Sequence, residues 1–368
     1  MRRRLLFAMA IAISVALPAG GQQAPATPRA PSSDDAASLF AKAAAKTNVL
    51  VRGTVPFHLR AHVKCFLSRG KPVEGTYDLW WESPARWRIE IGAGGSSGVV
   101  VQRAGSRWDK LSEVQQLIDL RFDTAWTTGT GLWLYEGERV GKVERQQLGG
   151  VAADCFFLNL PGKPVQVAGE TFGLPSFRRE ICLDAMGGLP LLKKEDYAGR
   201  EFEYGDYVAL GMKRVPEKLR YALNGKPLLE AAIDSLDALE NPDEELFDPP
   251  ERSPSFTWCA DFRPATPAGS APPNIGGPSE LMPGTAPSLG AVTSVSFLIG
   301  TDGKVRDFKV LDRQGFSAMV DGQLESLRRG LYHSATCGGK PIDFPVVMEV
   351  SIQPNAIVFP IVHGNPAL

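Results

Sequence analysis

The sequence is short of the residues that carry out chemistry. Four histidines are spread over 368 residues, at positions 58, 62, 333 and 363. His58 and His62 share one face of a strand-like segment, with no carboxylate or cysteine placed to complete a metal set, so they read as solvent-facing strand residues. The five cysteines, Cys65, Cys155, Cys182, Cys259 and Cys337, show no C-x-x-C or metal-like spacing. Gly94-Gly95-Ser96-Ser97-Gly98 is Gly-rich, but it lacks the Lys-Ser/Thr of a phosphate loop and the G-x-S-x-G of a nucleophile elbow. The acidic run Asp243-Glu244-Glu245 reads as a solvated turn. No nucleophile, base and orienting group fall together, so no catalytic residue, metal or cofactor is expected. An excess of one charge is missing too. Forty Lys and Arg face 41 Asp and Glu, for a net charge of −1, which excludes the electrostatic footprint of a nucleic-acid or anionic-membrane binder. After residue 17 no apolar run approaches the ~20 residues of a spanning helix.

What is present begins with an address. Arg2, Arg3 and Arg4 precede an apolar run from Leu5 to Leu17, followed by Pro18 and the small residues Ala19, Gly20 and Gly21. That order is a secretory signal, with cleavage expected before Gln22. It places the protein in the periplasm; an uncleaved segment would instead make an inner-membrane anchor with the rest facing the periplasm. Export permits disulfides. The expected pairs are Cys155–Cys182 and Cys259–Cys337 with Cys65 left over, the alternative being buried free thiols.

Proline and glycine divide the rest. Residues 22–35 form a Pro/Ser/Ala linker, and ten prolines between 249 and 287 mark a second linker over 251–290. Between them, residues 36–250 form the first domain. Ser33-Asp34-Asp35 signals a helix N-terminus, with a short helix to about Lys46. Period-two patterning follows. Leu59, Ala61 and Val63 alternate with polar residues, as do Tyr77, Leu79 and Trp81, and then Trp87, Ile89 and Ile91. A Gly-rich turn is expected over 92–98, a helix over 112–126, and further strands near 153–160, 179–184, 191–197, 201–207 and 217–222. Many antiparallel strands with few helices predict a curved sheet or half-barrel, aromatic on its concave side.

The last unit, 291–354, reads β-β-α-β, with a tail at 355–368. Val295, Phe297 and Ile299 alternate, Asp302-Gly303 suggests a type I′ hairpin, and Val320, Leu324, Leu327 and Leu331 fall at helical spacing. Val346, Met348, Val350 and Ile352 alternate again. The overall class is α+β.

This C-terminal unit resembles the TonB C-terminal domain family. The matching residues are the strand Val295–Ile299, Thr301-Asp302-Gly303-Lys304-Val305, Lys309-Val310-Leu311, the helix Met319–Leu331 and Gly339-Lys340-Pro341. His333-Ser334-Ala335 stands where the family has a Pro-Ala pair. The resemblance implies docking by strand addition to an outer-membrane receptor or another envelope protein, or dimerisation, through an open edge at Val346, Met348 and Val350. The linker lacks the Lys-Pro and Glu-Pro repeats of that family, so energy transduction is the alternative rather than the leading function. The first domain is similar to LolA/LolB-type periplasmic lipoprotein carriers. The residues are Gly75-Thr76-Tyr77-Asp78-Leu79-Trp80-Trp81, the turn Ser83-Pro84-Ala85-Arg86-Trp87-Arg88, and Phe247-Asp248-Pro249-Pro250. That resemblance implies a lipid or lipoprotein acyl chain held by Tyr77, Leu79, Trp81, Trp87 and Ile89. The alternative is that these aromatics fill a core. The expected function is a non-catalytic periplasmic binding protein.

Overall fold

The computed structural model describes residues 33–128, 132–134, 137–161, 164–167, 170–173, 177–195, 199–251, 253–257, 259, 261–268, 291–315, 318–353 and 356–363. The residues read as a secretory signal, the first linker up to residue 32 and most of the second linker lie outside the described residues. Pro31–Leu368 forms one unit, and no helix in the described residues is long and apolar enough to cross a membrane.

The chain opens with helix α1, Ser33–Thr47, whose first turn carries Asp34 and Asp35 and whose last carries Lys46. Both placements complement the helix dipole. Five strands follow as a meander: β1 Phe57–Cys65, β2 Val73–Ser83, β3 Arg86–Ala93, β4 Ser96–Arg103 and β5 Ser106–Lys110. Helix α2, Glu113–Asp123, comes next, and Ser112 caps it. Its hydroxyl accepts from the Gln115 N–H while the Gln115 side chain accepts from the Ser112 N–H, a reciprocal capping box. The helix widens into a π-helical turn at Thr124–Thr128.

Strands β6 Arg139–Leu148, β7 Val151–Leu160, β8 Pro164–Val167, β9 Glu170–Gly173, β10 Phe177–Asp184, β11 Pro190–Glu195, β12 Arg200–Leu210, β13 Lys213–Leu223 and β14 Lys226–Ala238 continue the chain. A 3-10 turn, Glu244–Phe247, and the short strands β15 Ser255–Thr257 and β16 Thr266–Pro267 follow. The last part holds β17 Ala291–Ile299, β18 Val305–Gln314, helix α3 Ala318–Arg329, β19 Tyr332–His333, β20 Ala335–Cys337, β21 Lys340–Ile342, β22 Phe344–Gln353 and β23 Ala356–His363.

Thirteen strands form one antiparallel sheet in the order β15-β5-β4-β3-β2-β1-β14-β13-β12-β11-β10-β7-β6. Its two ends do not meet, so it is an open curved sheet, the α+β half-barrel expected from the alternation. The closing step is non-local, since β14 returns to pair with β1 along the whole of that strand. A second sheet, β18-β17-β22-β23, lies in the C-terminal part.

Four local expectations change. The Gly-rich segment is a two-residue turn: Gly94 and Gly95 both have positive φ, and Ala93 already pairs with Ser96. That geometry suits a type I′ hairpin and lets β3 and β4 run right up to it. At Asp302-Gly303 only Gly303 has positive φ, 75°, so the hairpin is not type I′. Strands β5, β6 and β14 were not expected from the alternation. The segment read as a tail supplies β23, which pairs with β22. The second sheet therefore has four strands, and β22 lies inside it.

Two disulfides form, Cys155–Cys182 and Cys259–Cys337, while Cys65 is free and buried. Cys155 and Cys182 are direct cross-strand partners on β7 and β10. Cys259 follows β15 by two residues and ties this stretch to β20.

Candidate functional site

Strand pleating sends every second residue of β1 to one face, and there Phe57, Leu59, Ala61, Val63 and Cys65 are fully buried. Register carries that face across the sheet. Leu59 opposes Leu79, which opposes Ile89, and Phe57 opposes Trp81, which opposes Trp87. Tyr77, Leu79, Trp81, Trp87 and Ile89 are thus brought together on one face. They do not line an open cavity. Helix α2 and its π-helical turn lie over them with Leu117, Ile118, Phe122 and Trp126 in the same apolar cluster. Tyr77 stacks on Phe122 at 4.0 Å, and its hydroxyl donates to Asp119 at 3.2 Å. Trp81 and Trp87 are 2% and 5% exposed. Their indole N–H groups are buried without an acceptor, an unusual cost in a native core.

Beside this patch a cleft opens between Arg107, Asp109, Phe256, Asp119, Phe344 and Val347, with about 30 Å³ open to water-sized molecules. That is room for one or two waters, far below the ~300 Å³ of a small ligand pocket. Burial raises the Asp109 carboxyl, with Arg107 pulling the other way.

The other half of the same face is covered differently. Ala36, Phe40 and Ala43 of α1 pack on Phe156, Leu158, Ile181 and Leu183, with Phe40 edge-on to Phe156. Between the two helical covers run two cross-strand rows. One passes through Ile181, Lys193, Phe202, Tyr221 and Leu229 to Cys65; the other passes through Leu158, Arg179, Glu195, Arg200 and Leu223. Charged side chains therefore occupy core positions. Arg179 pairs with Glu138 at 2.5 Å, and Lys193 pairs with Glu195 at 3.1 Å, every one of them almost fully buried. Burial lowers the Lys193 amine, with Glu195 opposing.

Arg121 of α2 is the hub of this polar seam. Its guanidinium is completely buried. It donates to the Phe66 carbonyl at 2.8 Å and the Leu228 carbonyl at 3.3 Å, within the half-barrel, and to Asp312 Oδ2 at 2.6 Å on β18. Glu349 of β22 lies 3.7 Å from the Arg121 Nε and 3.8 Å from Arg200, and accepts from the Tyr221 hydroxyl at 2.5 Å. Asp312 also accepts from the Ser68 N–H at 2.9 Å and from Gln314 at 3.0 Å. Burial alone would raise the Asp312 carboxyl; Arg121 and Ser68 outweigh it and hold the group below its ordinary range. Burial works against the Arg121 charge as well, and Cys65, Glu349 and Asp312 together more than offset it.

Sequence reasoning missed this seam. One signal was present: Arg121 sits at the helical spacing of Leu117, Ile118 and Phe122, where an apolar residue belongs. Val346, Met348 and Val350, expected at an open edge, are 3%, 2% and 7% exposed. They pack with Val295, Phe297 and Leu324, on a strand flanked by β17 and β23. A second chain could not pair with β22 unless β23 left. Of the strand histidines, His58 is half-buried against Asp78 at 2.9 Å and stacks on Trp80 rather than facing solvent freely. Among the described residues, three metal-type ligand atoms converge at Cys155, Glu180 and Cys182 and at Cys259, Asp261 and Cys337. In both, the two sulfurs are spent on a disulfide.

No protein family and no curated protein matches the chain in sequence. Solved structures do align. A LolA superfamily protein from Nitrosomonas europaea is 11% identical, with a TM-score of 0.35, and covers 59% of this chain and 98% of its own. A putative outer membrane lipoprotein-sorting protein domain from Vibrio parahaemolyticus is 9% identical, with a TM-score of 0.34, covering 59% and 97%. MucB is 14% identical, with a TM-score of 0.32, covering 79% and 96%. At these scores the likenesses say nothing of what this chain binds, and none of these three is a TonB domain.

Proposed function

We propose that this protein is an exported, non-catalytic binding protein whose half-barrel takes an apolar chain in the place now filled by α2 and its π-helical turn. The observation that carries the reading is the pair of unsatisfied indole donors. Trp81 and Trp87 sit side by side in an otherwise apolar face, and each holds a buried N–H with no acceptor. A ligand with an apolar body and an ester or carboxyl head would fill the face and accept both protons. The cleft at Arg107 and Phe256 borders the same row, since Trp87 opposes Gln102 and Gln102 opposes Arg107. It is the natural entry point. The two disulfides suit an oxidising compartment, in keeping with the export signal.

Native mass spectrometry of the purified chain with added long-chain fatty acid tests the reading. A one-to-one adduct that quenches tryptophan fluorescence is expected, and Trp81→Phe with Trp87→Phe should weaken it. A folded protein that takes up no acyl chain, as purified or after addition, overturns the proposal.

A further inference from the structure

Met186 and Met212 are the most exposed large apolar side chains among the described residues, at 97% and 95%. Each stands in a hairpin turn, Met186 between β10 and β11 and Met212 between β12 and β13. Val55 and Val151 are exposed too, and local contacts join all four into one rim. The Ala185 N–H donates to the Ala152 carbonyl, which sets Met186 beside Val151. At the end of α1 the Lys46 ammonium donates to the Gly187 carbonyl at 2.7 Å, and Lys213 donates to the Ala45 carbonyl at 2.7 Å. The end of α1 therefore bridges the two methionine turns. A Cβ at Gly211 would lie 3.5 Å from Val55 Cγ2, so Val55 completes the row.

The turns themselves need no apolar residue at their tips. Gly188 and Gly211 supply the positive φ, and the Asp184 carboxylate accepts from the Met186 and Gly187 N–H groups at 3.0 Å each. A polar side chain at 186 or 212 would serve the backbone as well. Yet four of the seven exposed large apolar side chains among the described residues gather here, and such clustering marks an interaction surface. The charges beside the row are positive. Lys46 and Lys213 spend their ammonium groups on backbone carbonyls, Arg214 donates to the Lys213 carbonyl, and Arg52 is exposed in the loop before Val55. The carboxylates nearby are turned elsewhere or peripheral. Asp154, at the Val151 end, pairs with Arg145. Asp237 and Glu240 flank the row only past Val55, where the Leu239 N–H donates to the Pro56 carbonyl.

We propose that this rim docks on the interface of an anionic phospholipid bilayer, with Met186, Met212 and Val151 entering the headgroup–acyl boundary and Lys46, Lys213 and Arg214 meeting the lipid phosphates. A protein partner would have to match separate, protruding tips in shape. A bilayer interface takes up protruding apolar groups without any such match, and cations at its surface add attraction. The near-zero net charge of the whole chain, which in sequence argued against an anionic-membrane footprint, hides this local excess. Attachment is shallow and reversible, because only a few side chains enter. The rim shares no residue with the aromatic face. Its test reads the rim residues directly, so this proposal and the acyl-chain reading can fail separately.

The test places an environment-sensitive nitrobenzoxadiazole label at Met186→Cys and, separately, at Met212→Cys. Lys71→Cys, in the β1–β2 turn at the opposite end of the sheet, is the control. Cys65 is buried and escapes labelling in the folded protein. Vesicles of equal parts phosphatidylglycerol and phosphatidylcholine should shift the emission of the first two labels to the blue and leave the third unchanged. In co-sedimentation, pure phosphatidylcholine or about 0.5 M salt should weaken binding on the order of 10-fold. Met186→Ser with Met212→Ser should weaken it on the order of 10-fold, and Arg214→Gln about 5-fold. Every protein in the series carries the same N-terminus, so a retained Leu5–Leu17 segment does not account for differences between them. The absence of a blue shift at 186 and 212, or an equal shift at 71, overturns the proposal. So does a blue shift that grows with protein concentration without vesicles, which would mean that a second copy covers the rim.

Discussion

Replacing Arg121 by methionine keeps the length and apolar stem of the side chain and removes its charge. In the structure this strips Asp312 of its 2.6 Å partner, leaves Glu349 with Arg200, the Tyr221 hydroxyl and the Ser294 hydroxyl, and removes the side-chain donor to the carbonyls of Phe66 and Leu228. Breaking a buried ion pair by removing one member costs about 3–5 kcal/mol, because the remaining charge stays buried without compensation. For a chain of 368 residues, with an unfolding entropy of ~2.1 cal/mol/K per residue, a loss of about 4 kcal/mol lowers Tm by roughly 5 °C. Arg121→Lys should fall between, since an ammonium cannot serve Asp312 and two carbonyls with one planar fork. The decisive variant is Arg121→Met with Asp312→Leu, which removes both members of the closest pair. It should recover part of the loss, because a buried pair exchanged for apolar groups is often neutral. Differential scanning calorimetry reads the shifts, and amide exchange in β17, β18 and β22 locates them. A single-variant loss below about 1 kcal/mol, the scale of exposed ion pairs, would refute the view that Arg121 ties the two sheets.

Four further outcomes are expected. Asp312 is held below its ordinary range, so its stabilising share is complete above about pH 4 and is lost as pH falls through its lowered folded value; acid unfolding followed by circular dichroism should begin later in Asp312→Asn, normalised to its own stability at pH 7. Thiol titration of denatured, unreduced protein should find one free cysteine, Cys65, rising to five after reduction. Reduction should cost roughly 3.5 kcal/mol for the 27-residue separation and roughly 4.5 kcal/mol for the 78-residue one by loop entropy. Gly303→Ala should destabilise the second sheet by more than ~1 kcal/mol, because φ there is 75° and a Cβ would stand 2.0 Å from the Tyr332 carbonyl oxygen.

Alternation made most of the sheet legible. Leu59, Ala61 and Val63, and then Tyr77, Leu79 and Trp81, repeat every second residue because one face of each strand is dry. The capping pair Ser112 and Gln115 likewise announces α2. Strand β14 was not legible, for a physical reason. Leu229, Ile233 and Leu236 are spaced as on a helix, and a bulge in the β1–β14 register shifts the pattern midway. Only pairing with β1 and β13 makes the segment a strand. Strand β6 was hidden by its place at the sheet edge, where exposed residues such as Arg139, Lys142 and Glu144 blur the alternation.

Period and residue type therefore set the class of the fold and the aromatic membership of one face, whereas the cysteine pairing, open against free thiols in the sequence, follows only from the β7–β10 register and the tie of Cys259 to β20. Whether that face was open or filled depended on where α2 returns over the sheet. Whether β22 was an edge depended on β23. The polar seam is the clearest case. Arg121, Asp312 and Glu349 lie up to 228 positions apart in sequence, and nothing local distinguishes them from solvated charges. They become a site only because burial in a shared low-dielectric seam makes each charge depend on the others, and tertiary structure alone decides that.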